Sequence, residues 1–508
     1  MIAINPAQKS ERNTMQRTWT TVRVDWFGNI RLDILSGILV ALALIPESLA
    51  FAVIAGVDPS VTLYASFCIA VTTAFLGGRP GMISAATGAM ALVLVHLISQ
   101  YGVAYVLPVT ILTGLIQILF GVFRLGTLLR FVSRSVVHGF VNALAILIFV
   151  AQLPEVVGQS WQVWGLLALG LALIYLLPRV ITAVPAPLIS IVVLTTITIG
   201  LGLDVGTVGD KGVLPTSLPS LVALLAPLTL DTVFIVAPYA LTLAVVGLLE
   251  SLMTAVLIDD ITDTRSDKNR ECIGQGSANI IAGVFGGMAG CALIGQSMMN
   301  IKAGGRGRLS TLVAGVVLLF LVMVLRDVVQ QIPMVALAAV MMVVCVNTFQ
   351  WSSLRDIRTI PVSSTVVTFS TVAVVVYTHN LAQGVFVGVL LSGLFFAHKI
   401  SRYLDIVVTH DDAQRHVTYQ IIGQVFFASA TRFADAFDYT SDVTRVTIDV
   451  SHGHFWDVTS IAALDKAVLK YRSRGILVDV IGLNAASATM VDRHALHPRA
   501  ESIELGNH

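Results

Sequence analysis

Two carboxylates stand where the surrounding sequence is apolar. Glu47 lies in Pro46-Glu47-Ser48-Leu49, and Glu250 lies in Leu249-Glu250-Ser251-Leu252 in the other half of the chain. A carboxylate in an apolar helix has lost the hydration that sustains its charge, so Glu47 is a candidate for taking up and releasing a proton. An anion bound close by would strengthen that tendency. Protonation and anion binding would then favour one another, which is the thermodynamic requirement for moving both together. The alternative for Glu47 is a structural carboxylate hydrogen-bonded to a neighbouring helix or to broken backbone. Phe51, one turn on, is a candidate apolar wall of the same site.

Each carboxylate is followed by a glycine-rich interruption of the hydrophobic sequence. These are Gly77-Gly78-Arg79-Pro80-Gly81 and Gly286-Gly287-Met288-Ala289-Gly290, and a short apolar segment comes after each. A helix that begins inside a bilayer offers free backbone N–H groups and the positive end of its dipole to an anion. The stretches Ser84-Ala85-Ala86-Thr87-Gly88 and Cys291-Ala292-Leu293-Ile294-Gly295-Gln296 are therefore the candidate substrate-binding residues. Their small side chains let backbone approach a ligand; the alternative is a glycine-broken helix pair needed only for close packing. Matching broken helices in two halves point to a secondary transporter built from a repeat.

Composition dictates the elements that must position these groups. Hydrophobic residues make up 56% of the 508 positions, charged residues only 12%, and mean hydropathy is +0.85. A water-soluble core cannot hide that much apolar surface, so lipid is the solvent and the bilayer is a partner. Apolar periodicity predicts fourteen membrane segments, two of them short. They fall near 33–54, 60–76, 87–99, 103–123, 132–153, 161–177 and 186–202, then 232–257, 273–286, 293–302, 309–325, 332–347, 361–378 and 381–397. The Gly-, Pro-, Ser- and Thr-rich stretch Asp204 to Leu228 reads as an external linker between the sets. Seven is odd, so the second set enters the bilayer with opposite polarity, making the repeat inverted.

The expected organisation is a polar segment over 1–30, a first membrane repeat over 31–203, a linker over 204–229 and a second repeat over 230–400. Basic residues agree with the polarity of this scheme. Lys9, Arg12, Arg17, Arg23 and Arg31 precede the first span, and His398, Lys399 and Arg402 follow the last, so both ends read as cytoplasmic in a multi-pass cell-membrane protein. Arg79, Arg124, Arg130, Arg134, Arg179, Lys268, Arg270, Lys302, Arg306, Arg308, Arg355 and Arg358 fall in turns on the same side; Lys211 and Arg326 do not. The polar start lacks the marks of a secretory signal. Cys68, Cys272, Cys291 and Cys345 have no metal-ligand spacing and read as packing residues. The charged stretch Asp259 to Glu271 reads as a solvated turn. His452 and His454 lack a third ligand.

From about Ile406 the composition becomes that of a soluble module over 406–500. Strands are predicted over 417–421, 424–427, 443–450 and 476–481, with helices over 458–471 and 485–492, which gives a small α/β sheet domain. No nucleotide loop or nucleophile–base arrangement argues for an enzyme, and nothing points to nucleic acid.

Leu44-Ile45-Pro46-Glu47-Ser48-Leu49-Ala50-Phe51-Ala52, Gly78-Arg79-Pro80-Gly81 and Ile273-Gly274-Gln275-Gly276-Ser277-Ala278-Asn279 together resemble the sulfate permease family of anion transporters. The tail resembles its STAS domain, with Ile448-Asp449-Val450-Ser451 and Asp457-Val458-Thr459-Ser460 at that domain's strand and phosphate-loop region. The resemblance implies seven-plus-seven inverted repeats, a homodimer and a small inorganic or carboxylic anion as substrate. No cofactor is expected. Many relatives carry an arginine just inside the second half-helix where this chain has Gln296, so a fixed positive charge is missing. In relatives that couple to sodium, a carboxylate and a threonine placed like Glu250 and Thr254, with backbone near Cys291, ligate the ion. Glu250 could equally accept hydrogen bonds and only stiffen the core. A proton is the expected coupling ion ahead of sodium.

Three classes of function follow: a secondary anion transporter, a passive anion channel, or a membrane-tethered signalling protein acting through Ser451, Thr459 or Ser460, where a cytoplasmic regulator could dock. The paired half-helices and intramembrane carboxylates favour the first.

Overall fold

The computed structural model describes residues 23–127, 132–179, 185–222, 229–411 and 415–496. Lys9, Arg12, Arg17, Arg130 and the end of the linker, 223–228, lie outside the described residues. The chain divides into two compact units between Val389 and Leu390, inside the helix Leu381–Ser401, which is described with the first unit.

The first unit is helical. Its first repeat comprises α1 (Ile30–Ala55), α2 (Pro59–Leu76), α3 (Gly88–Tyr101), α4 (Val106–Val122), α5 (Arg134–Gln152), α6 (Trp161–Leu176) and α7 (Ala186–Gly200). The second comprises α8 (Leu230–Thr262), α9 (Lys268–Val284), α10 (Ile294–Lys302), α11 (Arg308–Val324), α12 (Met334–Thr348), α13 (Val362–Thr378) and α14 (Leu381–Ser401). Seven of these are long and apolar enough to cross a membrane and five are shorter apolar helices. The remaining two, α9 and the nine-residue α10, are short and more polar.

Local chemistry explains the breaks. Asn29 caps α1 through Leu32 N at 3.4 Å, and Gly56 closes it in the left-handed region at φ 72°. Pro59 opens α2, where its missing N–H costs nothing. Asp267 caps α9 by accepting from the amides of Asn269 and Arg270, each at 3.0 Å. Crowding then selects glycine. A Cβ on Gly114 would stand 2.4 Å from the Gly276 carbonyl oxygen, and one on Gly276 would stand 2.5 Å from that of Gly114, so α4 and α9 cross at backbone contact.

At the centre two three-residue strands, β1 (Ser84–Ala86) and β2 (Gly290–Ala292), pair antiparallel with Ala85 opposite Cys291. This register is the one produced by a local two-fold axis passing between Ala85 and Cys291, which makes each strand its counterpart turned around.

The sequence-based boundaries need two corrections in this unit. α8 continues to Thr262 and α9 starts at Lys268, so only residues 263–267 form the turn and Glu271 is fully buried rather than solvated. Four polar residues in the first turn of α9 masked its start. Arg308 is also buried, donating to the carbonyls of Ala74 at 3.1 Å and Gly77 at 2.9 Å.

In the second unit β3 (Asp405–Asp411), β4 (His416–Val425), β5 (Arg445–Phe455) and β6 (Leu477–Ile481) form one sheet in that order. The β3–β4 pair is antiparallel and the others are parallel. α15 (Ala430–Asp435), α16 (Val458–Arg472) and α17 (Ala485–His494) complete it. The strands expected over 417–421 and 424–427 are one strand ending at Val425. Gly423, at φ 108°, carries the chain past a register irregularity while pairing with β5 continues. β3 was not anticipated, because an edge strand with mostly exposed side chains shows little apolar alternation.

Candidate functional site

The ladder of β1 and β2 is the scaffold from which both half-helices start. α3 leaves after Ala86 with Thr87 at its N-cap, and α10 leaves after Ala292 with Leu293 at its N-cap. Neither N-cap side chain closes its helix, so the first-turn amides are left for a ligand. The strands are antiparallel, so the helices depart from opposite ends of the ladder.

Both carboxylate segments reach this ladder, and the serine after each carboxylate holds it in place. Ser251 Oγ accepts from Ala292 N at 3.0 Å. Ser48 acts through one more hydroxyl: its Oγ lies 2.9 Å from Ser66 Oγ, which accepts from Ala86 N at 3.2 Å. Ala86 and Ala292 are equivalent under the two-fold, so the two Glu-Ser pairs do one job in each repeat.

The carboxylates themselves point to different partners. Glu47 is buried and lies against the side chain of Gln296, in the first turn of α10. Glu250, equally buried, accepts from Cys291 Sγ at 3.0 Å, and that sulfur lies 3.2 Å from Thr87 Oγ1. Thr254 donates its hydroxyl to the Glu250 backbone carbonyl at 2.7 Å. Glu250, Cys291 and Thr87 thus form a chain across the ladder, while Glu47 stands at the mouth of the second half-helix.

Steric access differs as well. A Cβ on Gly88 would lie 2.6 Å from Ile148 Cδ1 and 2.9 Å from Phe51 Cε1, so the start of α3 is packed and Phe51 forms part of the covering wall. A Cβ on Gly295 would meet nothing within 4 Å, and Gly295 is exposed. The accessible end belongs to α10. Ser84, Ala85, Ala86 and Cys291 are buried in the ladder, and Ile294 flanks the opening.

Of the polar residues that brace this arrangement, Gln275 and Asn279 stand in the sequence only as part of a motif and Glu271 only as the end of a charged stretch. On α9, Glu271, Gln275 and Asn279 fall at successive i, i+4 spacing along one face. Glu271 accepts from the amides of Gly78 at 2.7 Å and Arg79 at 3.1 Å, fixing the first glycine turn. Gln275 Nε2 donates to Ser84 Oγ at 2.6 Å and to Glu271 Oε1 at 2.8 Å. Asn279 accepts from Gly290 N at 2.8 Å and donates to Gly290 O at 3.1 Å and Gln117 Oε1 at 2.8 Å. One helix face therefore sets the glycine turn before β1, β1 itself and β2. The signal was amide and carboxyl side chains at helical spacing in a segment of small residues, where buried polar groups require partners.

Arg79 leaves its turn to pair with Asp259 at 3.3 Å, and Asp259 also pairs with Lys268 at 2.7 Å. In the second unit, Ser460 is buried in a capping box with Asp457, whereas Ser451 and Thr459 are exposed. His454 contacts Asn484, and among the described residues no group of histidine, cysteine and carboxylate side chains could hold a metal.

Comparison with known proteins agrees with this architecture. The model of the sulfate permease family matches residues 30–165 and 160–371, and that of the STAS domain matches residues 405–504. YbaR of Bacillus subtilis, which carries a sulfate-transporter name, is 54% identical over 94% of this chain and 99% of its own length. The bicarbonate transporter BicA of Picosynechococcus is 26% identical over 93% of this chain and 92% of its own. Among solved structures, the transmembrane domain of a cyanobacterial BicA superposes with a TM-score of 0.65 at 25% identity, covering 72% of this chain and 98% of that one. The murine Solute Carrier 26 family member A9 anion transporter, in its inward-facing state, superposes with a TM-score of 0.79 at 18% identity, covering 92% of this chain and 87% of that one. With both its membrane unit and its tail matched, the chain belongs to the sulfate permease family and is a membrane-spanning protein with a C-terminal STAS domain.

Proposed function

We propose that this protein is a secondary active transporter, not an enzyme, that carries a small anion together with a proton by alternating access. The observation that carries the reading is the placement of Glu47 against Gln296 beside the open N-terminus of α10. Backbone N–H groups and the helix dipole would hold the anion there. Protonation of Glu47 would remove the negative charge facing it, so each ligand would favour the other and both would cross together. Relatives named for sulfate and for bicarbonate transport support an inorganic oxyanion as substrate, with dicarboxylates as the further class. Gln296 supplies no cationic side chain, which favours a substrate whose charge the proton compensates.

The surroundings of Glu250 support a bracing role over a sodium site. Its neighbours are a thiol, a soft and poor ligand for a hard cation, and a threonine hydroxyl that already donates to the helix backbone. Cytoplasmic N- and C-termini follow from the basic turns, and a homodimer and a regulator at the STAS domain follow from the family. The test is uptake of radiolabelled sulfate, bicarbonate, fumarate and succinate into proteoliposomes under an inward proton or sodium gradient. Accumulation of one anion under the proton gradient alone is expected. Accumulation under sodium alone, or mere equilibration under both, would overturn the reading.

A further inference from the structure

Away from the ladder, a cavity of about 220 Å³ opens where the N-terminal ends of α5 and α13 come together beside the turn that follows α12. Such a volume is several times the roughly 30 Å³ that one water occupies in the liquid, yet below the roughly 300 Å³ at which drug-sized pockets begin. It suits a compact polar group. Its basic lining residues are Arg134 and His138, one turn apart on α5. Ser135 of α5 and Ser364 and Thr365 of α13 add hydroxyls.

The electrostatics of this cavity are one-sided. Arg134 sits in the first turn of α5, where the helix dipole is already positive and a cation is disfavoured. The start of α13 brings a second positive dipole end to the same place. Neither helix has an acidic residue in its first turn or a side-chain cap, and no described lining residue is a carboxylate. Two lining hydroxyls are committed to the fold: Thr368 donates to the Ser135 carbonyl at 2.9 Å, and Ser353 donates to the Gln350 carbonyl at 2.6 Å while accepting from Asn142 at 2.8 Å. The side chains of Arg134, Ser135, His138, Ser364 and Thr365 have no hydrogen-bonding or ion-pair partner among the described residues. One guanidinium, one imidazole, three free hydroxyls and two helix starts converging without a carboxylate in the lining match the donor set that tetrahedral oxyanions attract.

We propose that this cavity binds a tetrahedral oxyanion, sharing no residue with the ladder site, and that it takes either the phosphate of an anionic phospholipid or soluble sulfate or phosphate. The lipid source suits its position at a helix end carrying Arg134 with Arg355 and Arg358 on the adjoining turn, where anionic headgroups are drawn.

The test uses the full-length protein in two arms. In nanodiscs, Tm is compared between phosphatidylcholine alone and phosphatidylcholine with one-fifth phosphatidylglycerol. In detergent, Tm is compared with sodium sulfate or phosphate against sodium gluconate at equal ionic strength. A rise of about 2 °C or more is expected in one arm at least, and the arm that responds identifies the source. The rise should be lost in Arg134→Gln and in Ser364→Ala/Thr365→Val, and kept in Arg355→Gln, whose charge lies outside the cavity. No rise in either arm, an equal rise in the cavity variants, or an equal loss in Arg355→Gln would overturn the proposal.

Discussion

The two half-helices are related by the repeat, yet they present different surfaces to a ligand. The start of α3 is closed by Phe51 and Ile148, while the start of α10 opens on free space and has the carboxylate of the opposite repeat beside it. The serines of the two Glu-Ser pairs kept the same task, and the glutamates diverged. Glu47 reaches across to Gln296, whereas Glu250 stays with Cys291 of its own repeat. The symmetry thus builds the scaffold, and departures from it make the site. A scaffold contact should therefore behave alike in both repeats, and a site contact should matter in one.

The largest effect is expected from breaking the shared scaffold. Asn279→Leu removes three buried hydrogen bonds and strands both polar groups of Gly290, each at a cost of about 1–3 kcal/mol. Yield of monodisperse protein and Tm should both collapse, as measured by size exclusion and a thermal melt. A variant of unchanged Tm would mean that the ladder is held from elsewhere.

Bulk at the first-turn glycine of each half-helix should separate scaffold from site. Gly88→Leu must displace Ile148 and Phe51 and should cost stability by about 1–3 kcal/mol, lowering Tm before any question of binding arises. Gly295→Leu has room for its side chain, so Tm should hold while anion affinity falls about tenfold or more, about 1.4 kcal/mol. Isothermal titration on both variants reads the difference, and equal behaviour would contradict the asymmetry.

A smaller change should come from charge. Gln296→Arg places a cation between Glu47 and the anion, so binding should tighten by about tenfold, about 1.4 kcal/mol, and depend less on low pH. An unaltered pH profile of affinity would show that this side chain does not face the ligand. The smallest effect is expected at Thr254, whose hydroxyl serves its own helix. Thr254→Val should leave uptake unchanged with and without sodium, and a loss confined to sodium-containing buffer would restore the cation reading.

Much of this arrangement was legible in the sequence because lipid imposes a simple code. Apolar runs gave helix positions to within a few residues, and the glycine breakers located both half-helices. Short polar sequence was harder. Lys268 to Glu271 looked like solvated turn because hydropathy averages over neighbours, and the contacts that bury Glu271 come from the Gly78-Arg79 turn far away in the chain. The closure over Gly88 was equally hidden, since Ile148 arrives from α5. In the second unit, Gly423 kept one strand continuous where its composition suggested a break. Local pattern thus disclosed where elements lie, and side chains arriving from distant segments decided which of two equivalent ends stayed open.

The asymmetry has its most direct test in Glu47→Gln. This variant keeps shape and hydrogen-bonding capacity while removing titration. Reconstituted, monodisperse protein should be assayed for anion–anion exchange and for accumulation driven by an inward proton gradient. Exchange should survive and gradient-driven accumulation should vanish, because the variant can no longer release a proton inside. Proton-driven accumulation that persists in Glu47→Gln would contradict the account and move the coupling role to Glu250.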